Sequence, residues 1–152
     1  MKRLRVKRAS RYITSNLFML TYGDGVSDVD LRRLVDFHET SATIATVAGV
    51  RPSSRFGELL VTGDRVRQFS EKPQTHEGLI NGGFFVCDRR VLDYLSDDAG
   101  CVLEREPLER LAAEGQLSVY RHGGFWQCMD TYRDYQHLNQ LWEAGGAEWK
   151  KW

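Results

Sequence analysis

Disulfide pairing, a membrane span and a surplus of either charge are all missing from this sequence of 152 residues. It has three cysteines, Cys87, Cys101 and Cys128, odd in number, widely spaced and outside any C-x-x-C pattern. That spacing excludes a disulfide or zinc framework and reads as reduced, partly buried thiols of a cytoplasmic protein. No apolar run approaches the roughly 18–20 residues that cross a bilayer, and no signal-peptide pattern is visible, so no membrane partner is expected. Basic and acidic side chains number 21 each, so no global field draws the chain to nucleic acid or anionic lipid. Nucleophile chemistry is missing too. The histidines, His38, His76, His122 and His137, show neither metal-ligand spacing nor a triad with any serine, and read as surface or satisfied packing positions.

What is present is ordinary in bulk. With 41% hydrophobic and 28% charged residues, a chain of this length is read as one domain able to bury roughly 70% of its unfolded surface. One local bias stands out: Lys2, Arg3, Arg5, Lys7, Arg8 and Arg11 open the chain with no acid among the first eleven residues. Such an arm can bind nucleic acid or lipid head groups. Without aromatic interleaving or a second basic cluster, it is read as a solvated amphipathic segment leading into the first strand.

Leu17–Thr21 is a short apolar run closed by Gly23-Asp24-Gly25, the pattern of a buried strand. Ser27 with Asp30 three later resembles a capping box, and Leu31, Leu34, Val35 and His38 follow at helical spacing. Thr43–Val50 is rich in β-branched residues and ends before Pro52. Strand, helix and strand in succession predict a βαβ unit and hence a parallel pair. Glu58–Val61 and Arg65–Phe69 flank Gly63-Asp64, a hairpin signal. Further strands are expected over Ile80–Cys87, Leu117–Arg121 and Phe125–Met129, with a short helix at Val91–Leu95. Pro107 opens a helix that Gly115 stops. Thr131 and Asp134 cap another, which presents Tyr135, Leu138, Leu141 and Trp142 on one face until Gly145-Gly146.

Two lone aspartates follow apolar runs. Asp24 lies between glycines after the first strand, where ligands gather in open α/β sheets, and Asp130 precedes Thr131. Each has a plain alternative: Asp24 as the residue of a turn that caps the next helix, Asp130 as an N-cap. If the two meet, they can share one Mg²⁺, with water and phosphate oxygens completing its shell. Between them stands Glu71-Lys72-Pro73. Pro73 holds Lys72 extended, and the pair offers a point charge for a phosphate and an acceptor for sugar hydroxyls. A solvated loop pair is the commoner explanation of such a dipeptide and, for the triplet alone, the preferred one.

Taken together the segments are more specific than any one of them. Phe18 to Asp28, Arg55-Phe56-Gly57, Phe69 to Gln74 and Ile80 to Val86 resemble glucose-1-phosphate cytidylyltransferases, a branch of the sugar nucleotidyltransferases. Glu104 to Leu111, Gly124 to Gln127 with Met129-Asp130-Thr131, and Trp149 to Trp152 continue the resemblance in order. It implies an α/β fold: the C-terminal part of a Rossmann-like transferase, with a mixed, mostly parallel sheet and an added β-hairpin region. It also implies transfer of a cytidylyl group from CTP to α-D-glucose 1-phosphate with Mg²⁺, giving CDP-glucose and diphosphate, as in the sugar-nucleotide supply for O-antigen. Asp24 and Asp130 would hold the metal and Lys72 the sugar phosphate. Gly57, Glu71 and Asn81 would contact the sugar, with Gly82 allowing its close approach.

The family's glycine-rich G-G-x-G-T-R loop, which cradles the nucleotide triphosphate, does not occur here. The chain is therefore expected to keep the sugar-phosphate side and both metal ligands, to lack the CTP side, and to turn over little alone. The full-length family implies a homo-oligomer. Two alternatives stay open: a non-catalytic sugar-phosphate-binding or assembly fragment, and transfer of another base or to another sugar, such as thymidylyl transfer.

Overall fold

The first apolar run forms a strand, β1, at Leu17–Thr21, in a computed structural model that describes residues 5–52, 58–70, 78–96 and 101–152. Upstream, a short helix, α1 (Arg5–Ala9), runs into a 3-10 turn. The basic arm is partly engaged there: Lys7 Nζ donates to the Leu95 carbonyl at 3.1 Å, and the Arg11 guanidinium lies over the Tyr12 ring. The chain divides into two compact units, each built from three separate stretches. Residues 1–23, 30–48 and 83–120 form the first, and residues 24–29, 49–82 and 121–152 the second.

A four-stranded sheet of order β1-β6-β3-β7 is built from β1, β3 (Ala45–Val50), β6 (Ile80–Asp88) and β7 (Leu117–Arg121). β6 runs antiparallel to β1, from Leu17 opposite Asp88 to Thr21 opposite Phe84. It lies between β1 and β3, so the expected adjacent parallel pair is not formed. Burial supplies the reason. Gly82, Gly83 and Phe85–Cys87 are buried, and a strand covered on successive residues belongs inside a sheet, where both its edges are paired. A later strand thus takes the slot that the local strand–helix–strand order suggested for β3.

The first unit's core joins Ile44, Ala45, Phe85, Cys87, Val91 and Leu111. Leu111 comes from helix α3 (Glu106–Ala113), which carries Pro107 in its first turn as expected. Gly115 follows at φ 66°. The earlier helix, α2 (Leu31–Ser41), is capped by Asp30, whose carboxylate accepts the Arg32 and Arg33 amides, and not by Ser27. Ser27 is unavailable for that role because its hydroxyl donates to the Phe125 carbonyl at 2.7 Å and accepts the Val29 amide. α2 buries Leu34 and His38. The His38 ring satisfies its buried Nδ1 with Thr46 Oγ1 at 2.8 Å, the packing role expected of it.

The hairpin falls where Gly63-Asp64 predicted it, as β4 (Glu58–Thr62) and β5 (Arg65–Ser70). Gly63 has φ 58°, which a side chain would resist. A second ribbon pairs β2 (Gly25–Ser27) with β8 (Trp126–Cys128). Helix α4 (Tyr132–Glu143) follows behind a Thr131–Asp134 capping box. Among the described residues no helix is long and apolar enough to cross a membrane.

Two outcomes follow from these contacts. Gly83 has φ 78°, and a Cβ there would fall 2.8 Å from Tyr22 Cδ2. Gly83→Ala should therefore cost about 2–4 kcal/mol in urea unfolding, the left-handed penalty added to overpacking against a ring. Burial holds the His38 pKa below its ordinary value, against smaller opposing effects of Asp88 and Glu39. The unfolded chain then binds the proton more readily, so stability is complete above about pH 6.5 and falls as the pH drops below it. His38→Asn, which can keep the bond to Thr46, should flatten that slope between about pH 6.5 and 5.

Candidate active site

Four of the seven candidate site residues lie among the described residues, and all four belong to the second unit: Asp24, Asn81, Gly82 and Asp130. Gly57, Glu71 and Lys72 lie outside the described residues. The β2–β8 ribbon brings Asp24 and Asp130 to the same end of one element. Gly25 stands opposite Cys128, and one step further the Met129 amide donates to the Asp24 carbonyl at 2.7 Å. Residues more than a hundred positions apart in sequence are therefore neighbours through backbone pairing.

Neither plain alternative for the aspartates describes this arrangement. Asp30, not Asp24, caps α2. Thr131, not Asp130, caps α4: its hydroxyl accepts the Asp134 amide while the Asp134 carboxylate accepts the Thr131 amide at 2.9 Å. That same carboxylate accepts the Asp130 amide at 3.2 Å, so the backbone of Asp130 is fixed while its own carboxylate stays outside the cap. Asp130 is exposed and Asp24 half-buried.

No group of three or more His, Cys, Asp or Glu side chains able to hold a metal occurs among the described residues. A cation here would take two carboxylates at most from that set. This suits a hard ion that keeps water and phosphate oxygens in its shell, and does not suit one needing a closed protein cage. The neighbouring sulfur fits the same chemistry. Cys128 Sγ donates to Asp130 Oδ2 at 3.4 Å, and burial, then that bond, push its pKa up to about 11. At neutral pH it is therefore protonated and adds no negative charge beside Asp130.

Asn81 and Gly82 open β6, Asn81 exposed and Gly82 buried. The Trp126 indole Nε1 donates to the Gly82 carbonyl at 2.8 Å. Behind the ribbon, Asp28 Oδ1 meets His122 Nε2 at 2.9 Å, with Lys151 Nζ 3.9 Å from the other oxygen. Asp28 fills the space a Cβ on Gly124 would take. Phe125 stacks on Trp149. Sequence reasoning assigned no task to Trp126 and did not pair His122 with Asp28. The signal for the second was present in His122-Gly123-Gly124, a glycine bend beside a polar ring.

The fold is mixed α/β with Asp24 just beyond a sheet strand, and comparison with known proteins identifies the family. A family model described as nucleotidyl transferase matches residues 6–144; the chain belongs to that family. It is 45% identical over 149 residues to a glucose-1-phosphate cytidylyltransferase of Salmonella typhimurium, covering 97% of this chain and 58% of that enzyme. It is 33% identical over 125 residues to a mannose-1-phosphate guanylyltransferase of Mycobacterium tuberculosis, covering 77% and 34%. Among solved structures, HddC from Yersinia pseudotuberculosis superposes with a TM-score of 0.65 at 18% identity, covering 90% of this chain and 60% of that one. The chain thus spans 58% of the length of the cytidylyltransferases it matches and 34% of that of the guanylyltransferase. The Rossmann-like expectation agrees with the fold of these neighbours.

Alkylation by iodoacetamide tests the thiol. With a pKa of about 11, the rate at Cys128 should rise about tenfold per pH unit from pH 7 to 10 without levelling. Asp130→Asn, which removes the adjacent charge, should raise the rate at pH 8 several-fold. A plateau below pH 9 in the unaltered chain contradicts this account.

Proposed function

We propose that this chain forms the sugar-phosphate and metal side of a glucose-1-phosphate cytidylyltransferase. The reaction is CTP plus α-D-glucose 1-phosphate giving CDP-glucose and diphosphate. The single observation that supports it is the ribbon pairing that joins the Asp24 and Asp130 segments, together with the likeness to the Salmonella enzyme. In this reading Asp24 and Asp130 hold Mg²⁺. When bound, the ion offsets charge on the phosphates of the reacting pair.

The chain's own residues then act by positioning. Asn81, Glu71 and Gly57 orient the sugar, Gly82 leaves room for it, and Lys72 holds the sugar phosphate as a point charge. A phosphate oxygen so oriented can attack the α-phosphorus in line while diphosphate leaves, and no protein nucleophile is required. The reaction belongs to the cytoplasm, where it would supply CDP-glucose for polysaccharides such as O-antigen, and the complete enzyme would assemble as a homo-oligomer.

Calorimetry with glucose 1-phosphate and Mg²⁺, in the absence of CTP, tests the reading on this chain directly. Heat that saturates is the expected result. Asp24→Asn and Asp130→Asn should each weaken the Mg²⁺-dependent part by about tenfold or more, as expected when one of two charged ligands is lost. Absence of any glucose 1-phosphate binding by the folded chain would sink the proposal.

A further inference from the structure

The Trp126 indole crosses from the ribbon to the strand that carries Asn81. Its Nε1–H meets the Gly82 carbonyl at 2.8 Å. Gly25, beside Asp24, lies next to this bond: a Cβ there would stand in ordinary contact, 3.7 Å from that nitrogen and 4.0 Å from the same carbonyl. Trp126 is opposite Ser27 in the ribbon and four residues before Asp130. A side chain of the strand that leads to Asp130 therefore holds the carbonyl of Gly82, one residue beyond Asn81. All these residues lie within the second unit.

Glycine carries no Cβ to limit the backbone at Gly82 and Gly83, so the direction of the Gly82 carbonyl is set by its surroundings, the Trp126 indole among them. The Trp126 bond orients the Gly82 carbonyl, at the residue proposed to leave room for the sugar. Gly82 is buried, so removing the donor leaves a carbonyl without replacement by bulk water.

We infer that Trp126 is a positioning residue for the sugar ring, acting through the Gly82 carbonyl. The inference rests on the proposed function above. It separates the ring from the phosphate: Trp126 affects recognition of a hexose 1-phosphate and leaves inorganic phosphate and Mg²⁺ indifferent to it.

The test titrates the chain and its Trp126→Phe variant with glucose 1-phosphate, inorganic phosphate and Mg²⁺. Phenylalanine keeps a ring and removes the N–H. The variant should bind glucose 1-phosphate about tenfold more weakly, the loss of one oriented hydrogen bond, with the other two affinities unchanged within about twofold. Equal loss for all three ligands marks a merely structural role and overturns the inference, as does unchanged affinity for glucose 1-phosphate. If the unaltered chain binds no glucose 1-phosphate, the proposed function fails and this inference falls with it. Should the variant not fold, the unaltered chain decides by NMR. The Trp126 indole N–H signal, assigned by replacing Trp142, Trp149 and Trp152, should move with glucose 1-phosphate and stay still with inorganic phosphate. A signal indifferent to both overturns the inference.

Discussion

The hydrogen bond from the Met129 amide to the Asp24 carbonyl is the constraint on which the candidate site depends. It is an ordinary backbone bond, yet it makes neighbours of the Asp24 and Asp130 segments, more than a hundred positions apart in sequence. Side chains could not do this alone, because two anions repel unless a cation or a rigid backbone holds them together. Pairing along β2 and β8 supplies the rigidity before any ligand arrives. That is the sense in which such a site is preorganised.

Around this bond, helix capping falls to residues other than the two candidate aspartates. Asp30 and Thr131 cap the two helices, which releases Asp24 and Asp130 from that duty. The Ser27 hydroxyl serves the ribbon, and the Asp134 carboxylate holds the backbone of Asp130. Cys128 stays protonated beside Asp130 and adds no competing charge. His122 and Asp28 satisfy each other behind the ribbon, and glycine at position 124 makes that approach sterically possible.

Local elements were legible in the sequence because they rest on local causes. Pro107 and Gly115, Thr131 and Asp134, and Gly63-Asp64 each mark a boundary by the conformations they favour or forbid, and the structure has its boundaries there. Pairing was less legible. The insertion of β6 between β1 and β3 depends on burial that only the assembled sheet defines, and the capping role passed from Ser27 to Asp30 because a carbonyl 98 residues away claimed the serine hydroxyl. The candidate site was legible as a set of motifs, through resemblance. That Trp126 reaches Gly82 was not, since nothing in an indole's neighbours states which carbonyl it will find.

The ribbon also sets a clock. β2 is made about a hundred residues before its partner β8, so during synthesis at about 5–20 residues per second β2 waits roughly 5–20 s for it. Closing so long a loop carries an entropic cost that local helices do not face. The part of the chain proposed to do chemistry is therefore among the last to acquire its shape, and the helices and the hairpin can form while it is still open.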